Sequence, residues 1–307
     1  VGGIFAELDL WRAAFWSLAA SAVLFAVLAA VVLPGREASS NERSPIALAQ
    51  LACLTAAVLA VSTGSTSSKP YLNVAGIGAA AGLMLVLIAV ERRSRRKLLP
   101  QDSFRPTTVL AALYATMSLL AVTVTGGEIF VPFFLQALHG QSPLVAGYLA
   151  ALMAAGWTLG SIASSGATAR ALDRLIMAGP VLGFGGMVAM AVLLPQPSDG
   201  SWSDLAPICL ALVAIGLGVG LAWPHLLTRA LKATQPGEQE LAGASITTVQ
   251  LFATAMGAAL AGTVVNAAGL VEPGGMTGAA SAARWLFGLC TLPPLLCAAT
   301  ARRVLNA

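Results

Sequence analysis

Apolar residues fill this chain in nine long blocks, each closed by a short polar or glycine- and proline-rich interruption. The blocks lie near 11–33, 45–63, 72–90, 107–137, 144–168, 175–195, 205–228, 241–266 and 283–301. The interruptions are Pro34-Gly35, Ser65 to Pro70, Pro100, the Gly140 to Pro143 turn, Pro195 to Pro197, Pro236-Gly237 and Pro273 to Gly275. A helix rises about 1.5 Å per residue, so about 20 apolar residues cross a hydrocarbon core of about 30 Å. Every block reaches the length range of a spanning helix. The pattern predicts an all-α, polytopic membrane protein with about nine transmembrane helices.

Composition agrees. Of 307 residues, 57% are hydrophobic and only 10% are charged, against about 25% charged residues in soluble domains. Thirteen acids and 17 bases cannot cover a soluble surface of this length. The net charge of +4 is parcelled into short loops rather than gathered in a patch, which argues against nucleic acid as a partner. Cys53, Cys209, Cys290 and Cys297 all fall inside apolar blocks without a CxxC pair, as small packing residues do. HExxH, GxSxG, paired intramembrane aspartates and clustered His/Cys ligands are absent, so neither an enzyme nor a bound metal or cofactor is expected. The run "GLGVG" at 216–220 lies mid-block with no Lys-Ser/Thr after it, which rules out a phosphate loop.

Charge does change the picture in the loops. One alternating set holds Arg36, Arg43, Arg92, Arg93, Arg95, Arg96, Lys97, Arg105, Arg170, Arg174, Arg229, Lys232, Arg302 and Arg303. The other holds Arg12, Lys69 and Arg284, a split of 14 to 3 that a miscounted helix would scramble. The positive-inside rule then puts the amino terminus outside and the carboxyl terminus in the cytoplasm of a cell membrane. The chain starts at Val1, with Glu7 and Asp9 where a signal peptide would be basic. An odd number of helices starting outside is the expectation for a fragment that lacks an odd number of helices upstream.

Small residues recur at helical spacing in Gly156, Gly160 and Ser164, in Gly78 and Gly82, and in Gly179 and Gly183, and are expected to serve close helix packing in lipid. In block 241–266, Gly243, Thr247, Gln250, Thr254 and Gly257 form one small-and-polar stripe beside an apolar stripe of Ile246, Val249, Ala253, Met256 and Leu260. The polar stripe belongs either against neighbouring helices or in a wet cavity. His139 is expected to be solvated at an outer turn. His225, in "LAWPHLLTRAL", is a candidate for a proton or substrate role and has Trp223 beside it.

These residues resemble the carboxyl-terminal part of a major facilitator superfamily transporter of the fourteen-helix drug:proton antiporter type. "VGGIFAELDLWRAAFW" resembles the tail of that family's antiporter motif, followed by the Trp-Arg-x-x-Phe that opens its sixth helix. "FFLQALHGQSPLVAGYLAAL" is similar to its Tyr-Leu-Gln and Gly-x-Ser-Pro-x-x-Ala-Gly, with Phe134 in place of Tyr and Gln136 retained. "GASITTVQLFATAMGAALAGTVV" resembles its eleventh helix through Gly243, Gln250 and Gly257. "SSGATARALDRL" matches its Gly-x-x-x-Asp-Arg loop only through Asp173 and Arg174. The resemblance implies that 1–33 ends the first helical half, that 34–106 is an extra transmembrane hairpin with a basic cytoplasmic linker, and that 107–307 is a six-helix second half. Five helices would then precede Val1. It also implies proton-coupled efflux of small lipophilic or cationic compounds by alternating access. A carrier of lipid or metabolite, and a non-transporting scaffold or remnant, are the rival readings.

The resemblance places Glu128 in a cavity-lining seventh helix, within "VTVTGGEIFVPFFLQALHG". An ionised carboxylate in hydrocarbon costs about 2.5–3.5 kcal/mol even on lenient scales. The stretch Thr107 to Leu138 is about 48 Å long as a helix, which puts Glu128 about 9 Å outside the midplane. Gly126-Gly127 and Pro132 predict a break there. Either Glu128 reaches the outer interface and is hydrated, or it faces the cavity and binds a proton or a cationic substrate in alternation. Tyr114 and Met117 share its helical face and suit lipophilic cations. With Phe134, Gln136, Trp223, His225, Thr247, Gln250 and Thr254 they complete the candidate cavity set.

Two outcomes follow. The reading frame upstream of Val1 should encode five more hydrophobic segments, the fifth ending in Gly-Pro; an in-frame stop in verified genomic sequence would exclude this. A cysteine at Ser198 should react with an impermeant thiol reagent from outside intact cells and one at Ser94 should not, with reversed labelling overturning the orientation.

Overall fold

The computed structural model describes residues 2–32, 47–67, 69–94 and 96–306. These form thirteen α-helices and no strand. They are α1 (Gly2–Glu7), α2 (Trp11–Val32), α3 (Leu48–Ser65), α4 (Pro70–Arg93), α5 (Val109–Glu128), α6 (Val131–His139) and α7 (Pro143–Ala150). The remainder are α8 (Leu152–Ser164), α9 (Ala169–Leu193), α10 (Trp202–Lys232), α11 (Gln239–Ala267), α12 (Gly275–Leu289) and α13 (Leu292–Leu305). Among the described residues, nine helical segments are long and apolar enough to cross a membrane, with α5–α6, α7–α8 and α12–α13 each acting as one broken span. Pro34-Gly35, Arg36, Arg43 and Arg95 lie outside the described residues.

The helices outrun the apolar blocks, because a helix continues through the interface after its hydrophobic run has ended. α10 carries Arg229 and Lys232 in its last turn, where cations meet the negative end of the helix dipole. The last span begins at Gly275 rather than near 283 and breaks at Cys290-Thr291. Pro293 and Pro294 lack the N–H groups that would bond back across that joint. The turn between α6 and α7 follows its sequence: Gly140 takes a left-handed φ of 62°, and Ser142 caps α7 by accepting from Val145 N–H at 3.3 Å.

Packing within the bundle depends on missing side chains. α10 crosses α8 so closely that a methyl group on Gly216 or Gly220 would collide with the carbonyl oxygen of Met153 or Trp157. Gly160 answers from α8, where a Cβ would sit 2.5 Å from Leu217 O. On the opposite side of α10, a Cβ on Gly218 would come within 2.5 Å of the Gly179 carbonyl of α9. "GLGVG" is therefore a two-sided helix contact. The Gly78 and Gly82 pair is a correction to the packing expectation: nothing lies within 4 Å of a Cβ at either position, because α4 turns its other face to α3. Large apolar side chains fill the remaining space, including Phe134, Phe287, Leu212 and Ile215 in one cluster and Leu113, Leu120, Ile176 and Leu226 in another.

The α3–α4 hairpin lies against α11, through Ala57, Val61 and Ala80 packed on Phe252, Met256 and Ala259. α1 meets α7, where a Cβ on Gly3 would lie 2.9 Å from the Pro143 carbonyl. No described residue of α2 is buried.

Gly216→Ala should destabilise the fold by about 1–3 kcal/mol, the cost of forcing a methyl into a filled contact. Gly78→Ala should leave stability unchanged or slightly raised, since Ala is the better helix former. Thermal unfolding in detergent compares the two, and equal melting temperatures would refute the assignment of the crossing.

Candidate functional site

Glu128 is the last residue of α5, and the helix stops there as the sequence predicts. Phe130, with φ −107° and ψ −5°, turns the chain into α6, whose second residue is Pro132. The two glycines before Glu128 are required by neighbours. A Cβ on Gly126 would sit 2.5 Å from Cys290 Sγ at the α12–α13 joint, and one on Gly127 2.9 Å from the methyl groups of Met153 and Met187. Two broken spans thus touch at the level of Glu128. Counting from the middle of the 109–139 span, the carboxylate lies about 6 Å from its centre. The side chain is exposed, and among the described residues no lysine or arginine pairs with it.

Pro132 and Gln136 follow Glu128 at four-residue steps and line a cleft of about 510 Å³ with Gly3 and Ile4 of α1 and Leu144 and Tyr148 of α7. Gln136 is exposed and donates its side-chain N–H to the Pro132 carbonyl at 2.9 Å. Glu7 accepts from Leu144 N–H at 3.2 Å, which sets a carboxylate on the N-terminus of α7.

The other candidates divide by burial. The face shared by Tyr114, Met117, Ala121 and Glu128 is buried along its first three members and exposed only at Glu128, because α10, α11 and α13 cover the earlier turns of α5. The Tyr114 hydroxyl is 2.5 Å from Ser245 Oγ, which satisfies its polar tip inside the bundle. Met117 and Phe134 are fully enclosed. On α11, Thr247 and Thr254 are exposed, Gln250 is half-buried, and Gly257 is buried against Val122 and Thr125. The Tyr114–Ser245 and Thr125–Gly257 contacts run in the same order along both helices, so α5 and α11 are parallel and Glu128 sits one turn beyond Gly257. Trp223 stacks on Trp157 of α8 at 5.8 Å. His225 is half-buried, with Nε2 enclosed and without a hydrogen-bond partner among the described residues.

His139 corrects the expectation of a solvated turn residue. Only 1% of it is exposed, because the α9–α10 loop folds over it. Nε2 lies 3.1 Å from the Leu194 carbonyl, which can only accept, so that nitrogen carries a proton. Nδ1 is 2.8 Å from Ser198 Oγ. Ser198 is thereby a structural residue, and exposed Asp199 beside it is the better labelling position for topology.

Spacing also misses a buried carboxylate at the base-rich end of the hairpin. Glu91 is 4% exposed; one oxygen accepts from Leu98 N–H at 2.8 Å and Leu99 N–H at 3.0 Å, and the other accepts from Gln50 Nε2 at 3.0 Å. Gln50 also donates to the Arg96 carbonyl at 2.7 Å. The available signal was a single acid placed between an apolar run and a cluster of bases. Ion pairs at this end are Arg105–Asp102 at 3.0 Å and Arg229–Asp173 at 2.6 Å.

The family model of the Major Facilitator Superfamily matches residues 1–258. A probable multidrug-efflux transporter of Mycobacterium tuberculosis is 36% identical over 275 residues, covering 87% of this chain and 58% of that protein. The puromycin resistance protein of Streptomyces alboniger is 26% identical, over 87% of this chain and 53% of its own. A triacylglyceride transporter of Mycolicibacterium smegmatis is 25% identical, over 82% and 47%. This chain thus spans about half the length of the curated relatives it matches. Nine apolar spans among the described residues, a family match over most of the sequence and 36% identity to a transporter across 87% of the chain lead to one conclusion: the chain belongs to the major facilitator superfamily of membrane transporters.

Proposed function

We propose that this chain is the larger, carboxyl-terminal part of a fourteen-helix exporter that couples proton influx to efflux of small lipophilic or cationic compounds. In this reading α2 ends the first helical half, α3–α4 is the extra hairpin, and α5 to α13 form the second half, with the base-rich ends in the cytoplasm. Five helices carried elsewhere complete the cavity. The observation that carries the proposal is Glu128: an exposed carboxylate at a helix break, about 6 Å from the middle of its span, with no described basic partner. Such a group is costly in lipid unless it is hydrated or protonated, and a group that alternates between those states carries protons or cations. The 36% identity to a probable multidrug-efflux transporter supports a drug-like cargo.

Neutral lipid is the second reading, favoured by the similarity to a triacylglyceride transporter at 25% identity. An uncharged cargo has no use for a carboxylate as a binding partner, so the two readings part at Glu128.

In the complete transporter, Glu128→Gln should lower efflux of a monovalent lipophilic cation by about tenfold or more, with expression and thermal stability near wild type. Glutamine keeps the shape and the hydrogen bonds but cannot change charge. Glu128→Asp should retain part of the activity. The measurement is transport of a cation, a neutral drug and a labelled triacylglyceride in vesicles with an imposed pH gradient. Wild-type rates for the Gln variant from about pH 6 to 8 would reduce Glu128 to an interfacial residue. Gradient-driven movement of the triacylglyceride alone would favour the second reading.

A further inference from the structure

A second region of the chain lies away from Glu128, with Tyr114 of the candidate cavity set in one of its walls. Where α4 ends and the chain turns toward α5, a cleft of about 520 Å³ is lined by Arg92, Lys97 and Arg105 together with Gln101, Asp102 and Phe104. Six bases and two acids fall between residues 91 and 105. Both acids are already engaged. Glu91 accepts from the Leu98 and Leu99 backbone and from Gln50, and Asp102 pairs with Arg105 at 3.0 Å. Among the described residues, Arg92 has no carboxylate partner, and Lys97 donates only to the Glu91 backbone carbonyl. In the cleft wall three bases, Arg92, Lys97 and Arg105, outnumber the two carboxylates of Glu91 and Asp102. Glu238 accepts from Gln101 N–H at 3.1 Å, within reach of a segment 91–105 whose six bases and two acids leave a net charge of +4. Because Arg92 and Arg93 form the last turn of an apolar span, that charge lies at the depth of lipid headgroups.

Adjoining this cleft is an apolar crevice of about 240 Å³ between the hairpin, α5 and α11. Leu54, Met84, Leu87, Ala115 and Phe252 are among its walls, and Leu99, Ser103 and Phe104 belong to both cavities. The crevice is smaller than the roughly 300–1,000 Å³ of a drug-sized site. A basic cleft at headgroup level joined to a narrow apolar slot matches an anionic amphiphile.

We propose that the cleft and crevice together hold one anionic phospholipid, its phosphate between Arg92, Lys97 and Arg105 and part of one acyl chain in the slot beside Ala115. Phosphate recognition by Arg and Lys is charge-assisted, and the Arg105 side chain, 70% exposed, has room to turn from half-buried Asp102 toward a phosphate. The lipid would join the hairpin to the bundle at the one end where the loop, rather than helix packing, makes the connection.

The test uses the full-length transporter, delipidated in detergent. It is titrated with phosphatidylglycerol, with phosphatidylcholine of the same chains, and with inorganic phosphate, and bound lipid is counted by native mass spectrometry. Phosphatidylglycerol should bind about tenfold or more tightly than phosphatidylcholine. Arg92→Gln with Lys97→Gln should weaken it about 25-fold, at about fivefold per base near an anionic headgroup. Arg302→Gln with Arg303→Gln, bases in the last turn of α13 outside the cleft, should change nothing. Ala115→Leu should weaken phosphatidylglycerol without altering the response to inorganic phosphate. Equal retention of both lipids overturns the proposal, as does equal weakening by the cleft and control variants, which would mean diffuse surface charge. Displacement of the lipid by millimolar phosphate, with no effect of Ala115→Leu, would mean a free-anion site and also overturn it. Should the double variant melt lower than wild type, Arg105→Gln decides instead, since Arg105 is 70% exposed: a loss of about fivefold supports the site and no loss refutes it.

Discussion

The crossing of α10 with α8 and α9 is the constraint on which the bundle depends. Hydrocarbon tails are as apolar as leucine, so burial of apolar surface does not draw helices together in a membrane, and close backbone contact must. Gly216 and Gly220 open one side of α10 to the Met153 and Trp157 carbonyls, while Gly218 opens the other to Gly179. One five-residue run therefore fixes three helices. Large side chains such as Ile215 and Leu226 can then pack around a frame whose spacing is already set.

A frame so close admits few side chains at its contacts, Ser161 Oγ donating to the Gly220 carbonyl at 3.4 Å being one, and Glu128 lies outside it. α5 packs mainly on α11 and α13, and helices in this second group break at Ile129-Phe130 and at Cys290-Thr291, while a third break, at Ala151, separates α7 from α8. Broken spans free backbone groups that unbroken ones satisfy internally, and they are tolerated at membrane depth only against protein or water. Gly126 brings the two breaks into contact through Cys290. Glu128 stands at that junction.

Hydrophobic blocks made the span count and the helical class legible, since the length of a crossing is set by the bilayer and not by neighbours. The break at Glu128 was legible too, because Gly-Gly before and Pro after act locally. What the blocks do not encode is azimuth. Gly78 and Gly82 have the same spacing as Gly156 and Gly160, yet one pair faces open space and the other a helix backbone. Tyr114 and Met117 share a face with Glu128 by arithmetic, but α10, α11 and α13 cover it as far as Ala121. His139 reads as a turn residue, and its burial comes from a loop about 60 residues later in the chain. Local grammar fixes where helices start, stop and bend; only the neighbours fix which side is inside.

The hairpin makes the same point from the other direction. Its contact with α11 is mainly apolar and modest, through Phe252, Met256 and Ala259, yet it is tied at both ends by polar groups. At one end Asn266 donates to the Ser65 carbonyl at 2.7 Å. At the other, Gln50 and Glu91 hold the 96–99 loop, and Gln101 N–H donates to Glu238 at the start of α11 at 3.1 Å. These bonds fix the hairpin in depth along α11, which apolar packing alone would leave free to slide by a turn. α11 is also the helix whose exposed Thr247 and Thr254 are turned away from the hairpin. The hairpin thus braces one side of α11 near both of its ends, while Thr247 and Thr254 stay exposed on another.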